Sequence, residues 1–400
     1  MQHQVQVQLA RRLLDHMANG TTDRSAAGHR NPVSSYTSSE RLEDELTTVL
    51  REHPLLVGLS KRISNVGDYV TEDLAGVPVV VCRDDAGDVR AFVNMCRHRG
   101  ARIADGCGSA RHFVCPYHAW TYKLDGGLYA IPSAIDFDAV DKESSGLVEL
   151  SSAERHGLVF VQLNGEIDLD ASLGGLDHDF AAYGFEDFHH YRTLTLRRKM
   201  NWKLSPETFM EGYHLKYLHR DSVGPYFVSN LMTFDAFGRN SRVIVPRKSI
   251  KDLEQHPEAD WNLIPNSSVI YNLFPNTTFV IQTGHVEMWR SFPAGSPNEA
   301  RIEVSVYTPQ KAESDKAKAF YDKNIDLAMQ TVDGEDFPLC EVIQTGHMAA
   351  MQDHVTYGRN EPALIHYCQS VEAALRSKPD SPTHQPRARS QRVMRAPSLA

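Results

Sequence analysis

The chain has 400 residues, enough for one large domain or two ordinary ones. Its hydrophobic share of 41% and charged share of 23% are those of a globular protein, and a net charge of −9 argues against nucleic-acid binding. The 6 cysteines form no disulfide framework. No window nears about eighteen continuous apolar residues, and no apolar run follows the twin arginines of "RRLLDHMANG". A cytoplasmic protein without a membrane or nucleic-acid partner is expected.

Residues 1–40 read as an amphipathic helix, "VQLARRLLDHM", followed by a mobile Gly/Ser/Asn-rich segment. A domain is expected over 41–165. It opens on a helix, "SSERLEDELTTVLREH", with Ser39 as N-cap. From about 66 the texture turns to short β runs, "VPVVVCRD", "VRAFVNMC", "RHFVCPYHAW" and "GLVFVQLN", with "DAGD" and "DGG" as turns. A small antiparallel β domain follows from this.

A larger domain is expected over 166–375. The β run "YRTLTLRRKM" leads into a helical stretch, "SPETFMEGYHLKYLH", and then a β meander from "SVIYNLFPNTTFVIQ" to "ARIEVSVYTP". Two helices, "KAESDKAKAFYDKNIDLAMQTV" and a last one, "FPLCEVIQTGHMAAM", close it. Strands first and helices late predict an α+β fold, an antiparallel sheet covered by helices. The Pro/Ser/Arg-rich residues 376–400 read as a disordered tail.

Two short segments carry paired metal donors: Cys96 with His98, and Cys115 with His118. Zinc competes for such a set, but zinc fingers and ribbons pair like with like. One Cys and one His from each segment suits a [2Fe–2S] cluster with two thiolates on one iron and two imidazoles on the other, the ligation known for Rieske centres. C-x-H-x16-C-x2-H followed by "AWTYKLDGGLY" resembles the Rieske domain of ring-hydroxylating oxygenases. Respiratory-type Rieske proteins add a disulfide-bonded cysteine beside each pair; here Tyr117 stands near the second pair and Cys107 is out of register.

The stretch 201–219, "NWKLSPETFMEGYHLKYLH", holds Glu207, Glu211, His214 and His219. Two histidines and a carboxylate on one face of a metal form the facial triad of non-haem Fe(II) oxygenases, which leaves open positions for O2 and substrate. His214 and His219 are five apart, roughly 140° around an ideal helix. Both reach one metal only where the helix ends or distorts, and "RDSVGP" is a breaker cluster.

This stretch resembles the mononuclear-iron motif of Rieske oxygenase α (catalytic) subunits at Asn201, Trp202, Lys203, Glu207, Phe209, Tyr213, His214 and His219. Thr208 departs from the Asn often found there. The resemblance places Asn201 and Glu211 among the catalytic residues, with Glu211 bridging the two metal sites across a subunit boundary. It also implies a late acid: "EDFPLCEVIQ" makes Asp336 the third iron ligand. Asp333 and Glu335 are close enough to stand in for it, and Asp336 also suits an N-cap.

The resemblance implies an oxygenase with a Rieske [2Fe–2S] cluster and a mononuclear Fe(II), working as a homotrimer. It would take electrons from an NAD(P)H-dependent flavin/[2Fe–2S] reductase, with or without a ferredoxin. With O2 it would hydroxylate or demethylate a small organic substrate of aromatic or quaternary-ammonium type. Aromatic cis-dihydroxylation is the nearer alternative, as in aromatic hydrocarbon catabolism. A Rieske electron carrier without oxygenase activity is the more distant one. Met210, Tyr226, Phe227, Leu231, Met232 and Phe234 are pocket candidates that core packing explains equally well; Asn272, His285 and the basic run 197–199 are weaker ones.

Overall fold

The computed structural model describes residues 1–376. The expected disordered tail lies outside the described residues except for Arg376, which ends a helix, Pro362–Arg376, that follows the one expected to be last. The chain divides into two compact units. Ile63–Leu150 form the smaller, and Met1–Arg62 join the described residues from Ser151 onward in the larger.

In the smaller unit, Val89–Val93, Val77–Arg83, Asp68–Leu74 and Cys107–Ser109 lie side by side, and Glu149 and Leu150 pair with Phe92 and Ala91. A second small sheet joins Phe113–Val114, Thr121–Tyr122 and Leu128–Ala130. Phe92, Phe113, Trp120, Tyr122 and Leu128 pack together between them. All of these pairings are antiparallel, so short turns suffice to connect them.

In the larger unit, seven antiparallel strands form one sheet among the described residues. Their order is His189–Arg198, Ala300–Thr308, Val286–Pro293, Thr277–Ile281, Ser267–Leu273, Asn240–Pro246, Thr233–Phe237. Side chains alternate between faces. Ile244, Val269, Ile281, Tyr271, Phe279 and Met288 point into the core. The opposite face carries the row Val243, Ile270, Val280 and Glu287, with Val245 beside Ser268.

Helices cover the sheet, but not as regularly as the sequence suggests. The stretch expected to be one helix over "SPETFMEGYHLKYLH" is a single turn, Leu204–Glu207, then irregular turns and a 3-10 turn, His214–Lys216. Pro206 lies in that turn and Gly212 lies between the two pieces, residue types that weaken helices. Asp315–Ala328 runs through a wide π segment, Met329–Asp336, into Phe337–Met348.

Two further expectations change. Ser38, not Ser39, caps the early helix by accepting the Arg41 amide at 3.2 Å, and that helix widens to a π segment at Glu45–Leu50. The segment expected to be mobile is tied down: His29–Pro32 pairs with His354–Tyr357, and Asp23 accepts the Phe234 amide at 2.7 Å.

Candidate metal centres and the cavity beside one of them

In the smaller unit, two loops built alike carry the Cys–His pairs. The Cys96 amide donates to Ala101, and Gly100, at φ 79°, closes the loop back on the Cys96 carbonyl. The Cys115 amide donates to Trp120, and Ala119, at φ 56°, closes the second loop on Cys115. Each thiol is thereby buried while the histidines stay at the edge, His118 exposed and His98 half-buried. The two imidazoles face each other with centroids 4.8 Å apart. Trp120 stacks on His98 at 5.1 Å, and the Tyr122 hydroxyl lies 3.3 Å from Cys96 Sγ. Thiols inward and imidazoles outward suit a dinuclear cluster with chemically distinct irons. Cys107 is exposed on its own strand.

In the larger unit, the broken helix solves the five-residue spacing of the histidines. His214 sits on the 3-10 turn, and the chain doubles back so that Gly224 donates to the His219 carbonyl at 2.8 Å. A Cβ on Gly224 would stand 2.5 Å from the Leu215 carbonyl oxygen, so this close return requires glycine. Asp336 ends the π segment, and its side chain makes no capping hydrogen bond. Its Oδ1 instead lies 3.2 Å from His219 Nε2 and 3.5 Å from His214 Nε2. The three donor atoms lie within 4.8 Å of one another, two imidazole nitrogens and one carboxylate oxygen. That donor set fits a facial-triad iron.

The neighbouring acids orient the rings. Glu211 accepts from His214 Nδ1, and Glu335 accepts from His219 Nδ1 at 2.5 Å and from the Ser222 hydroxyl at 2.7 Å. Both Nε2 atoms are thus turned to Asp336. Burial works against charging His214, but the hydrogen bond and charge of Glu211, with the charge of Asp336, outweigh it and raise its pKa. His219 is raised likewise, burial being outweighed by Asp336 and then Glu335. Asp333 is drawn elsewhere, accepting from Arg198 Nε at 2.9 Å, which also occupies the middle of the basic run.

A cavity of about 250 Å³ opens beside this cluster. Its floor is the sheet face of Val245, Ser268, Ile270, Val280, Gln282 and Glu287, and Glu211, His214, His219 and Asp336 stand in its wall. Of the expected pocket residues, Phe227 and His285 line it. Leu231 and Met232 are buried core, Tyr226 is exposed, and Asn272 bonds Thr278 and Ser241 instead. Arg247, Gln282 and Glu287 also line it, unmarked in the sequence because they lie in strands or at their ends, where nothing distinguishes a cavity face.

Asn201 is not among the cavity-lining residues. Its amide donates to the carbonyls of Tyr36 and Pro297, at 3.2 and 2.9 Å, and accepts from the Lys203 amide. Trp202 and Lys203 are anchored on buried Glu45, the Lys203 ammonium at 2.7 Å. Glu207 accepts from Tyr36 at 2.7 Å, and burial pushes its carboxyl up to about 7. These motif residues brace the segment that carries the histidines.

Residues 185–377 match the family model of the ring hydroxylating alpha subunit (catalytic domain), and 53–140 match that of the Rieske [2Fe-2S] domain. A chloroplastic choline monooxygenase from Beta vulgaris is 26% identical over 79% of this chain and 70% of its own. The carnitine monooxygenase oxygenase subunit of Acinetobacter baumannii is 32% identical over 46% of this chain and 50% of its own. A quaternary ammonium Rieske monooxygenase shares the fold at a TM-score of 0.75, with 22% identity over 86% of this chain and 95% of that one. Naphthalene 1,2-dioxygenase from Rhodococcus sp. superposes at 0.70, with 17% identity over 93% of this chain and 99% of that one. The chain belongs to the Rieske non-haem iron oxygenases, as a catalytic α subunit: an O2-dependent oxidoreductase with a [2Fe–2S] cluster and a mononuclear iron. Such subunits work with a reductase, O2 and a small substrate.

Proposed function

We propose that the substrate is a small quaternary-ammonium compound, oxidised as a monooxygenation or demethylation. The observation that carries this reading is the wall of the cavity: besides the acids of the iron site it holds the Glu287 carboxylate and two aromatic rings, Phe209 and Phe227. A quaternary ammonium donates no hydrogen bond, so negative charge and ring faces are what it can use. The choline, carnitine and glycine betaine monooxygenases among its relatives favour the same class.

In this reading Cys96, His98, Cys115 and His118 hold the cluster, and His214, His219 and Asp336 hold the iron. When bound, the cluster would supply single electrons and the iron would supply the site for O2 activation. The chain's own part is to fix both rings through Glu211 and Glu335, keep Asp336 free of capping duties, and give substrate a wall of defined charge. Exposed Tyr213, Tyr217 and Val342 on the iron-bearing unit, and Tyr117 and Val114 on the other, are apolar surface that a homotrimer would cover. Glu211 would then serve a partner copy's cluster. An NAD(P)H-dependent flavin/[2Fe–2S] reductase, with or without a ferredoxin, would supply the electrons. A cytoplasmic location is part of this proposal; among the described residues no helix is long and apolar enough to cross a membrane.

Product analysis tests this. The holoenzyme with a generic reductase, NAD(P)H and O2 is offered choline, carnitine, glycine betaine and naphthalene. A hydroxylated or demethylated ammonium product supports the reading; a cis-diol from naphthalene with the ammonium compounds untouched overturns it.

A further inference from the structure

Arg247 stands where the strand Asn240–Pro246 ends, its amide donating to the Asn266 carbonyl at 2.8 Å. Its guanidinium lies in the cavity wall, 5.3 Å from the Phe227 ring centre. One hydrogen bond runs from Nη2 to the Gln282 side-chain oxygen at 3.3 Å, and buried Nε has no partner. A guanidinium offers five donors in a planar fork.

The same sheet pairs its buried arginines with acids. Arg242 meets Asp179 and Asp235, and Arg290 meets Glu303. Among the described residues no carboxylate pairs with Arg247. The acids that share its cavity are committed elsewhere: Glu211 to His214, Asp336 to the facing histidines, and Glu287 to His285 at 3.3 Å and Trp289 at 3.0 Å. Burial without a counter-charge lowers the pKa of Arg247, a cost that a bound anion would relieve.

We propose that Arg247, steadied by Phe227 and Gln282, receives a carboxylate of the substrate, so that the substrate is a zwitterion with a quaternary ammonium at one end and a carboxylate at the other. This rests on the quaternary-ammonium reading and narrows it. An alcohol-ended compound such as choline would leave the guanidinium unmatched. A carboxylate fits the fork with two parallel bonds.

The test is calorimetric binding of glycine betaine, carnitine, choline and benzoate to the holoenzyme, with Arg247→Lys and Arg247→Met beside the wild type. Cluster absorption and thermal melting show that the variants are folded. Glycine betaine or carnitine should bind about ten- to a hundredfold more tightly than choline. Arg247→Met should erase that preference, and Arg247→Lys should keep part of it. Choline bound equally or better, an unchanged preference in Arg247→Met, or no carboxylate bound at all would each overturn the proposal. Benzoate bound through Arg247 while every ammonium compound fails would sustain the carboxylate site and sink the quaternary-ammonium reading. Choline bound while both betaines fail would do the reverse.

Discussion

His219 meets Glu335 through Nδ1 at 2.5 Å, which leaves Nε2 facing Asp336 at 3.2 Å. In the proposed site adjacent acids thus do different work: one orients the ring and the other would present an oxygen to the iron. Glu335→Gln should weaken iron binding roughly ten- to a hundredfold, the usual effect of losing such a partner. Iron titration of the apo-protein measures this, and the melting temperature should hardly move. Unchanged iron affinity would contradict the orienting role.

Glu211 does the same for His214 and also accepts the His214 amide at 3.2 Å. Glu211→Gln keeps the shape and loses the charge. Iron retention should fall, and turnover should fall further if Glu211 also serves a neighbouring copy's cluster. Comparing iron content with turnover per iron separates the two effects. Full turnover with both metals bound would end the bridging idea.

Glu45 is a buried hub: Lys203 at 2.7 Å, Trp202 at 2.9 Å and Arg41 at 2.9 Å all donate to its carboxylate. Glu45→Ala strands the Lys203 ammonium without its partner. Removing one member of a buried pair costs about 3–5 kcal/mol. Urea unfolding should show that loss, and replacing Lys203 by Met in the same chain should recover part of it.

Glu207 gives the larger unit a pH dependence. Its carboxyl lies at about 7 against an ordinary 4.5, because burial disfavours the charged form. Between those values the folded chain keeps a proton that the unfolded chain has released. Stability should therefore fall as pH rises through that window and level off above it, a loss on the order of 3 kcal/mol. Glu207→Gln, which preserves the acceptor for Tyr36, should flatten that slope. Urea midpoints at pH 5 and pH 8 decide it; equal slopes in both proteins would remove Glu207 as the cause.

Much of the site was legible because its ligands come in short, chemically unusual groups. Cys96 with His98 and Cys115 with His118 announce a metal by residue type and spacing, whereas His214 and His219, five apart, were legible only through the resemblance of the stretch that carries them. Asp336 was legible by resemblance, but Glu335 was not, since which of two neighbouring acids touches the ring depends on the wide π turn that sets their directions. The helix expected through His214 failed for a related reason. Pro206 and Gly212 weaken the helix from within, and the chain returns tightly at Gly224. The cavity floor was hidden more thoroughly. Asn240–Pro246 and Ser267–Leu273 are covered on both faces, so their near-continuous burial conceals which face packs and which face receives substrate. Asn201, Trp202 and Lys203 show the converse: a motif near a metal site whose side chains brace it from behind.

The central claim is that one chain carries two iron sites and that Asp336 completes the second. Iron analysis of the reconstituted protein tests it most directly, comparing wild type with Asp336→Ala. About three irons per chain are expected in the wild type and about two in the variant. The variant should keep the cluster's visible absorption and form no product. Three irons in the variant with product formation intact, or a colourless wild type without iron, would contradict it.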